Sequence, residues 1–272
     1  MELPLICFIY PYIFISIYII IHIVIFFLII KFIPNVEKIP FLWGMINWTI
    51  AIVVIFYGIG IFIPFDSDGL KILRAFLGGI IPPITEDIGR LIVFTFIYKS
   101  KNHNFNNSLI FGAGHGGWES IVLMSINQIQ NLINFYAIKN SKDKEELIKN
   151  NLLKIYEKYK NGVTGEEIFN VIIRFGGNLF HMAASVIIYR LSLNRKERKY
   201  IIYFIILFVD HFINYTFAQF LALYELNIWF NLIFIVFGII IVVIGWLVWK
   251  ENNNKDYYGY NFENNKKLIS LQ

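Results

Sequence analysis

Phe111-Gly-Ala-Gly-His-Gly-Gly-Trp-Glu-Ser120 places an imidazole and a carboxylate, His115 and Glu119, in a stretch otherwise greasy enough to sit in a bilayer. Four residues apart on a helix, the two side chains share one face, one turn from each other. An ionisable group at membrane depth costs roughly 2.5–3.5 kcal/mol on insertion scales, so its default reading is functional. The flanking glycines let neighbouring helices approach closely. The stretch reads as a membrane helix forming one wall of a buried polar site.

The bulk composition agrees with a membrane setting. Of the 272 residues, 57% are hydrophobic and only 16% charged, against about 45–50% and about 25% in an ordinary soluble domain. Mean hydropathy is +0.59, and the excess lies in long apolar runs of the length a bilayer requires. The expected fold is all-α, a polytopic transmembrane helical bundle of about seven spans with a central polar cavity. The net charge of +5 sits in loops, where it bears on topology and not on nucleic acid. A single cysteine, Cys7, excludes an intrachain disulfide framework and a cysteine-based metal cluster. Heavy use of Ile, Asn and Lys points to an AT-rich bacterial genome.

The runs fall at roughly 5–30, 41–63, 72–98, 109–129, 165–191, 201–223 and 228–249. No Lys or Arg precedes the first run and no small-residue cleavage site follows it, so it reads as a span, not a signal peptide. Pro82-Pro83 is expected to break or restart the third helix. The fourth turns polar at Asn127, Gln128, Gln130 and Asn131, where it is expected to leave the bilayer. Residues 139–165 form a soluble or interfacial insertion. There Asp143 and Glu146 suit a helix cap, and Leu147, Leu152, Ile155 and Tyr159 suggest an amphipathic helix on the membrane surface. Thr164-Gly-Glu-Glu167 reads as a capping box. The domain organisation is one transmembrane domain, 1–250, and a polar, disordered tail, 251–272.

Basic residues at Lys31/Lys38, Lys99/Lys101, Arg195–Lys199 and Lys250 fall on one side if there are seven spans. The N-terminus is then outside and the C-terminus cytoplasmic, in a multi-pass cell-membrane protein.

Polar residues that a bilayer disfavours come in helical pairs on four consecutive spans: Glu86 with Arg90, His115 with Glu119, His181 with Ser185, and His211 with Asn214 beside Asp210. Arg174 lies on the same span as His181. Each pair has a plainer reading as a self-neutralising ion pair or a satisfied buried hydrogen bond. Their coincidence on four adjacent spans favours one shared site. His22 has no such partner and reads as structural, and Asn47 is a lone exception on the second span. Gly112-Ala-Gly114-His-Gly-Gly117 matches a dinucleotide-binding fingerprint in letters only. The required strand and downstream acid are missing, and Gly112 and Gly116 read as GxxxG helix packing, drawing the third and fifth spans toward His115.

Assembled, these motifs resemble the glutamate-type intramembrane proteases of the CAAX-protease and bacteriocin-processing superfamily. Glu86-Asp-Ile-Gly-Arg90, Phe111-Gly-Ala-Gly-His115 and His211-Phe-Ile-Asn214 carry that likeness. Within it the chain is most similar to the YhfC family of intramembrane metalloproteases, on Gly112-Ala-Gly-His-Gly-Gly-Trp-Glu119 and His181-Met-Ala-Ala-Ser185. The likeness covers roughly residues 80–220. It departs from the superfamily pattern in Asp87, in the Arg90 spacing and in the His211–Asn214 spacing, which leaves open whether Glu86 or Asp87 is the catalytic acid.

The resemblance implies an intramembrane endopeptidase acting on membrane-anchored or lipidated peptide or protein substrates, with membrane lipid as its surroundings and no nucleic-acid partner. The favoured mechanism is metal-free: Glu86 as general base balanced by Arg90, His115 orienting the water or protonating the leaving amine, Glu119 fixing the tautomer of His115 or His181, and His211 with Asn214 serving the oxyanion. The alternative is zinc held by His115, Glu119, His181 and His211, with Glu86 as base. No organic cofactor is expected. An ion-coupled secondary transporter and a non-catalytic immunity or scaffold protein are the readings from other classes.

Overall fold

In a computed structural model, residues 3–62, 68–97, 104–149, 151–162, 165–194, 196–224 and 235–251 are described. Residues 63–67 of the expected turn, Thr164 of the capping box, residues 225–234, which hold the expected 224–227 loop and the first part of the seventh span, and the tail beyond 251 lie outside them. Nine α-helices run through the described residues and no strand occurs among them. They are α1 (Leu5–Phe32), α2 (Ile39–Phe62), α3 (Asp68–Ile92), α4 (Asn106–Asn140), α5 (Lys144–Lys149), α6 (Leu153–Tyr159), α7 (Gly165–Leu193), α8 (Arg198–Tyr224) and α9 (235–251).

Among the described residues three stretches are long and apolar enough to cross a membrane: Leu5–Phe32, Phe169–Leu193 and Arg198–Ala218. Helix α1 is apolar on every side, and Leu5, Tyr12, Ile20 and Phe27 stand exposed along it. A helix without a polar face, left uncovered by its own fold, belongs in lipid. Helices α3 and α4 are also long, but their buried ionisable residues lower their hydropathy.

Helix α4 is the axis of the bundle, packed against α1, α2 and α7, while α3 packs against α8 and α2. Glycines set these distances. A Cβ on Gly114 would lie 2.1 Å from the Phe41 carbonyl of α2, and one on Gly44 of α2 would lie 2.1 Å from the Phe111 carbonyl of α4. The α2–α4 seam is thus closed by glycines from both sides, as small residues allow between membrane helices. Gly112 and Gly116 meet α7, where their Cβ positions fall 2.4 Å from Met182 Cα and 3.0 Å from Asn178 Cα. The GxxxG reading therefore holds, but the glycines of α4 draw in α7 and α2, not the third span. A Gly44→Ala substitution is expected to destabilise the protein by about 1–3 kcal/mol, because the new methyl meets backbone that cannot rotate away. Thermal unfolding in detergent micelles checks this; an unchanged midpoint would contradict the close seam.

Two expectations are corrected and a third is extended. Helix α3 is unbroken at Pro82 and Pro83 and ends instead in a π-helical turn, Val93–Ile97. The carbonyls that lose their donors belong to Gly78 and Gly79, four residues earlier, and the Thr85 hydroxyl donates back to the Ile81 carbonyl (2.9 Å) just beyond the prolines. Helix α4 runs on past residue 129 to Asn140: its 35 residues amount to about 52 Å at 1.5 Å per residue, more than a hydrocarbon core, so it has length to leave the bilayer as a helix. In its polar end Gln128 is buried and Asn131 donates to the Tyr10 hydroxyl (3.0 Å), while Asn127 and Gln130 are exposed. The insertion forms two short helices, not one. Asp143 Oδ1 accepts from the Glu146 amide (2.9 Å) while Glu146 Oε2 accepts from the Lys142 amide (2.7 Å). The expected cap is present in this form. The apolar side, Leu147, Leu152 and Tyr159, packs on Cys7, Tyr10, Phe135 and Ile138.

Candidate active site and metal centre

Glu86 sits at the centre. Its Oε2 lies 3.0 Å from His115 Nε2, 3.5 Å from Arg90 Nη2, 3.6 Å from His211 Nε2 and 4.0 Å from His181 Nδ1. Helical spacing explains the gathering: Glu86, Asp87 and Arg90 occupy one side of α3, and His115 and Glu119 one side of α4. His181 on α7 and His211 on α8 close the ring, with His115–His181 ring centroids 4.8 Å apart. All seven of these side chains are buried.

The two adjacent acids of α3 differ in their surroundings. Asp87 is tied on both oxygens, by Arg90 Nη1 at 2.5 Å and by His211 Nδ1 at 3.1 Å. Glu86 instead faces the histidines. Arg90 also donates to His181 Nδ1 at 2.7 Å, so its tighter carboxylate partner is Asp87 and not the Glu86 expected from the i, i+4 spacing.

Glu119 faces His181, with Oε2 2.8 Å from Nε2, and its Oε1 accepts from Arg174 Nη1 at 3.4 Å. The close approach of Glu119 Oε2 to His181 lacks hydrogen-bond alignment, and among the described residues that oxygen has no hydrogen bond. His211 Nε2 is likewise buried without one. The hydrogen bonds divide the histidines. His211 donates from Nδ1 to Asp87, which leaves a lone pair on Nε2 in its neutral form, the arrangement found behind metal ligands. His181 accepts at Nδ1 from Arg90, so its neutral form carries hydrogen on Nε2.

Two expected pairings do not form. The Ser185 hydroxyl donates to the His181 backbone carbonyl (2.9 Å), not to the ring. Asn214 donates to Asp210 Oδ2 (2.9 Å), one turn back on its own helix, while His211 points to α3. His22 donates from Nδ1 to the Tyr18 carbonyl (2.6 Å) and packs on Gly117, a structural position.

Two residues join the cluster that the charge pattern passed over. The Tyr215 hydroxyl lies 3.3 Å from both Glu86 Oε1 and Glu119 Oε1, bridging the carboxylates of α3 and α4. It is four residues after His211, so the spacing rule applied to His211 would have found it; a tyrosine in a membrane helix simply raises no alarm. Asn47 of α2 lies 3.2 Å from His115 Nδ1.

Glu86, His115, Glu119 and His181 each offer a donor atom within 4.8 Å of the others. Two imidazoles and two carboxylates suit zinc, which takes both ligand types. The residues present therefore fit a metal.

Known proteins agree. The chain is 29% identical over 124 residues to the uncharacterized membrane protein YhfC of Bacillus subtilis (strain 168), covering 44% of this chain and 47% of that one. The match thus spans about half the length of that relative. No solved structure matches the chain. The YhfC intramembrane metalloprotease family matches residues 15–240, most of the sequence. On that match, with a buried cluster able to hold a metal, the chain belongs to the YhfC intramembrane metalloprotease family.

Proposed function

We propose that this protein is a zinc-dependent intramembrane endopeptidase that cleaves membrane-anchored or lipidated peptides within a bundle of about seven spans. The observation that carries the reading is the four-donor cluster of Glu86, His115, Glu119 and His181, all buried and within 4.8 Å of one another. The metal-free preference drawn from the sequence is set aside: nothing in the family match supports it, and the donor set favours its zinc-dependent alternative. Placement in the wider CAAX-protease superfamily rests on the Glu86–Arg90, Phe111–His115 and His211–Asn214 motifs alone.

His115, Glu119 and His181 would hold the ion, the number of protein ligands a catalytic zinc takes while keeping a position open; His181 would offer Nε2 only once Arg90 releases its Nδ1, because the bond between them keeps the ring hydrogen on Nε2. Zinc bound there supplies an acidified water and polarises the scissile carbonyl. Glu86 would serve as general base toward the attacking water, its Oε2 standing at the centre of the cluster, 3.0 Å from His115 Nε2. Tyr215, touching both carboxylates, replaces Asn214 as the neutral donor for the oxyanion. Arg90 and Asp87 form the fixed frame that keeps His211 and His181 in place. Arg174, one-third exposed beside Glu119, balances its charge from the rim.

The reading also takes up the single transmembrane domain with the N-terminus outside, and bacterial origin. Its test is metal content. Protein purified in detergent is expected to retain about one zinc per chain, and chelation is expected to abolish cleavage that added zinc restores. Metal-free protein with undiminished peptidase activity would overturn it.

A further inference from the structure

Asn47 lies on α2, an apolar helix outside the four that supply the charges, yet its amide reaches the centre of the site. Its Nδ2 donates to the Glu86 backbone carbonyl at 3.3 Å and lies 3.2 Å from His115 Nδ1. A carbonyl can only accept, so the first bond fixes which end of the amide faces this way. The second amide hydrogen then goes to His115 Nδ1, making that nitrogen an acceptor. The ring hydrogen of neutral His115 is left on Nε2, 3.0 Å from Glu86 Oε2. Gly89 on α3 makes the approach possible, because a Cβ there would lie 2.4 Å from Asn47 Oδ1.

This tautomer is the wrong one for a metal. A ligating Nε2 must present its lone pair, with the hydrogen on Nδ1 and an acceptor behind it. We propose that Asn47 is a positioning residue that holds metal-free His115 in its Nε2–H form and thereby governs how readily His115 yields that nitrogen to a metal. The proposal rests on the metalloprotease reading above. For His115 to ligate through Nε2, the amide must turn so that Oδ1 accepts from Nδ1–H, which ends the bond to the Glu86 carbonyl and sets two oxygens against each other. Asn47 thus opposes loading until the ion repays that loss. An aspartate at 47 offers His115 Nδ1–H an acceptor without any turn.

The test uses full-length protein in detergent, stripped of metal, with nitrogen-15 in its histidines. The His115 signals are identified by their loss in His115→Gln. Wild-type His115 is expected to be protonated on Nε2, and in Asn47→Asp on Nδ1. Zinc, titrated against a competing chelator, is expected to bind Asn47→Asp roughly ten-fold more tightly, the lower end of what such outer partners control. Added charge alone would tighten zinc without moving the proton, so a tautomer unchanged in the variant overturns the proposal. Wild-type His115 protonated on Nδ1 overturns it without any variant, which covers the case in which Asn47→Asp fails to fold. Failure of both proteins to bind zinc sinks the metalloprotease reading instead. A proton that moves from Nε2 to Nδ1 in the variant then still upholds the control of His115 by Asn47.

Discussion

Glu86→Gln is expected to lower peptide cleavage by about 10²–10⁴-fold, the range for losing a general base, while zinc stays bound. The loss corresponds to about 3–5 kcal/mol of barrier. Glutamine keeps the size of the side chain but cannot take a proton from water, and three donors of the cluster, His115, Glu119 and His181, are untouched. The measurement pairs zinc content with a proteomic comparison of cells carrying wild type and variant. Uncut membrane proteins that accumulate with the variant identify the substrates, and cleavage of those substrates gives the rate. Zinc lost together with activity would make Glu86 a ligand, not the base. No accumulating substrate, with zinc in place, would remove the peptidase assignment.

Arg90→Ala is expected to be the most destabilising single change, by about 3–5 kcal/mol, because it leaves buried charge without its partner. Arg90 is fully buried and its two terminal nitrogens reach Asp87 at 2.5 Å and His181 at 2.7 Å, with Glu86 at 3.5 Å. Without it, the one remaining arginine beside the three buried carboxylates Glu86, Asp87 and Glu119, among the described residues, is the one-third-exposed Arg174. Arg90→Lys is expected to rescue little, since an ammonium cannot hold the two-pronged position that a planar guanidinium fills. Thermal unfolding and detergent-extractable yield measure both. Wild-type stability in Arg90→Ala would show that Asp87 is neutral in the folded protein.

Much of the site was legible because a bilayer penalises polar residues. Glu86, Arg90, His115, Glu119, His181 and His211 stood out against apolar surroundings, and the spacing rule placed them on inward faces. Partners were not legible in the same way. Spacing along a helix says which residues share a face, not which atoms of another helix meet them. Hence Arg90 was paired with Glu86 when Asp87 is closer, and Asn214 was joined to His211 when it bonds Asp210. Asn47 stands out in the sequence but has no partner on its own helix to tie it to the site, and a tyrosine such as Tyr215 is ordinary in a membrane helix.

The sequence by itself determined that this chain is helical, that it belongs in a membrane, and which residues are too polar to sit there idly, since apolar run length and the cost of buried charge are local properties. It also marked the glycine-rich histidine helix as the anchor of the site. Only the tertiary structure decided that α4 is the axis, that α2 contributes to the site, and that Asp87 is tied while Glu86 faces the histidines. It also decided which nitrogen of each histidine is engaged. Those depend on distances between helices far apart in the chain, and glycine-gated backbone contacts set them to within an ångström.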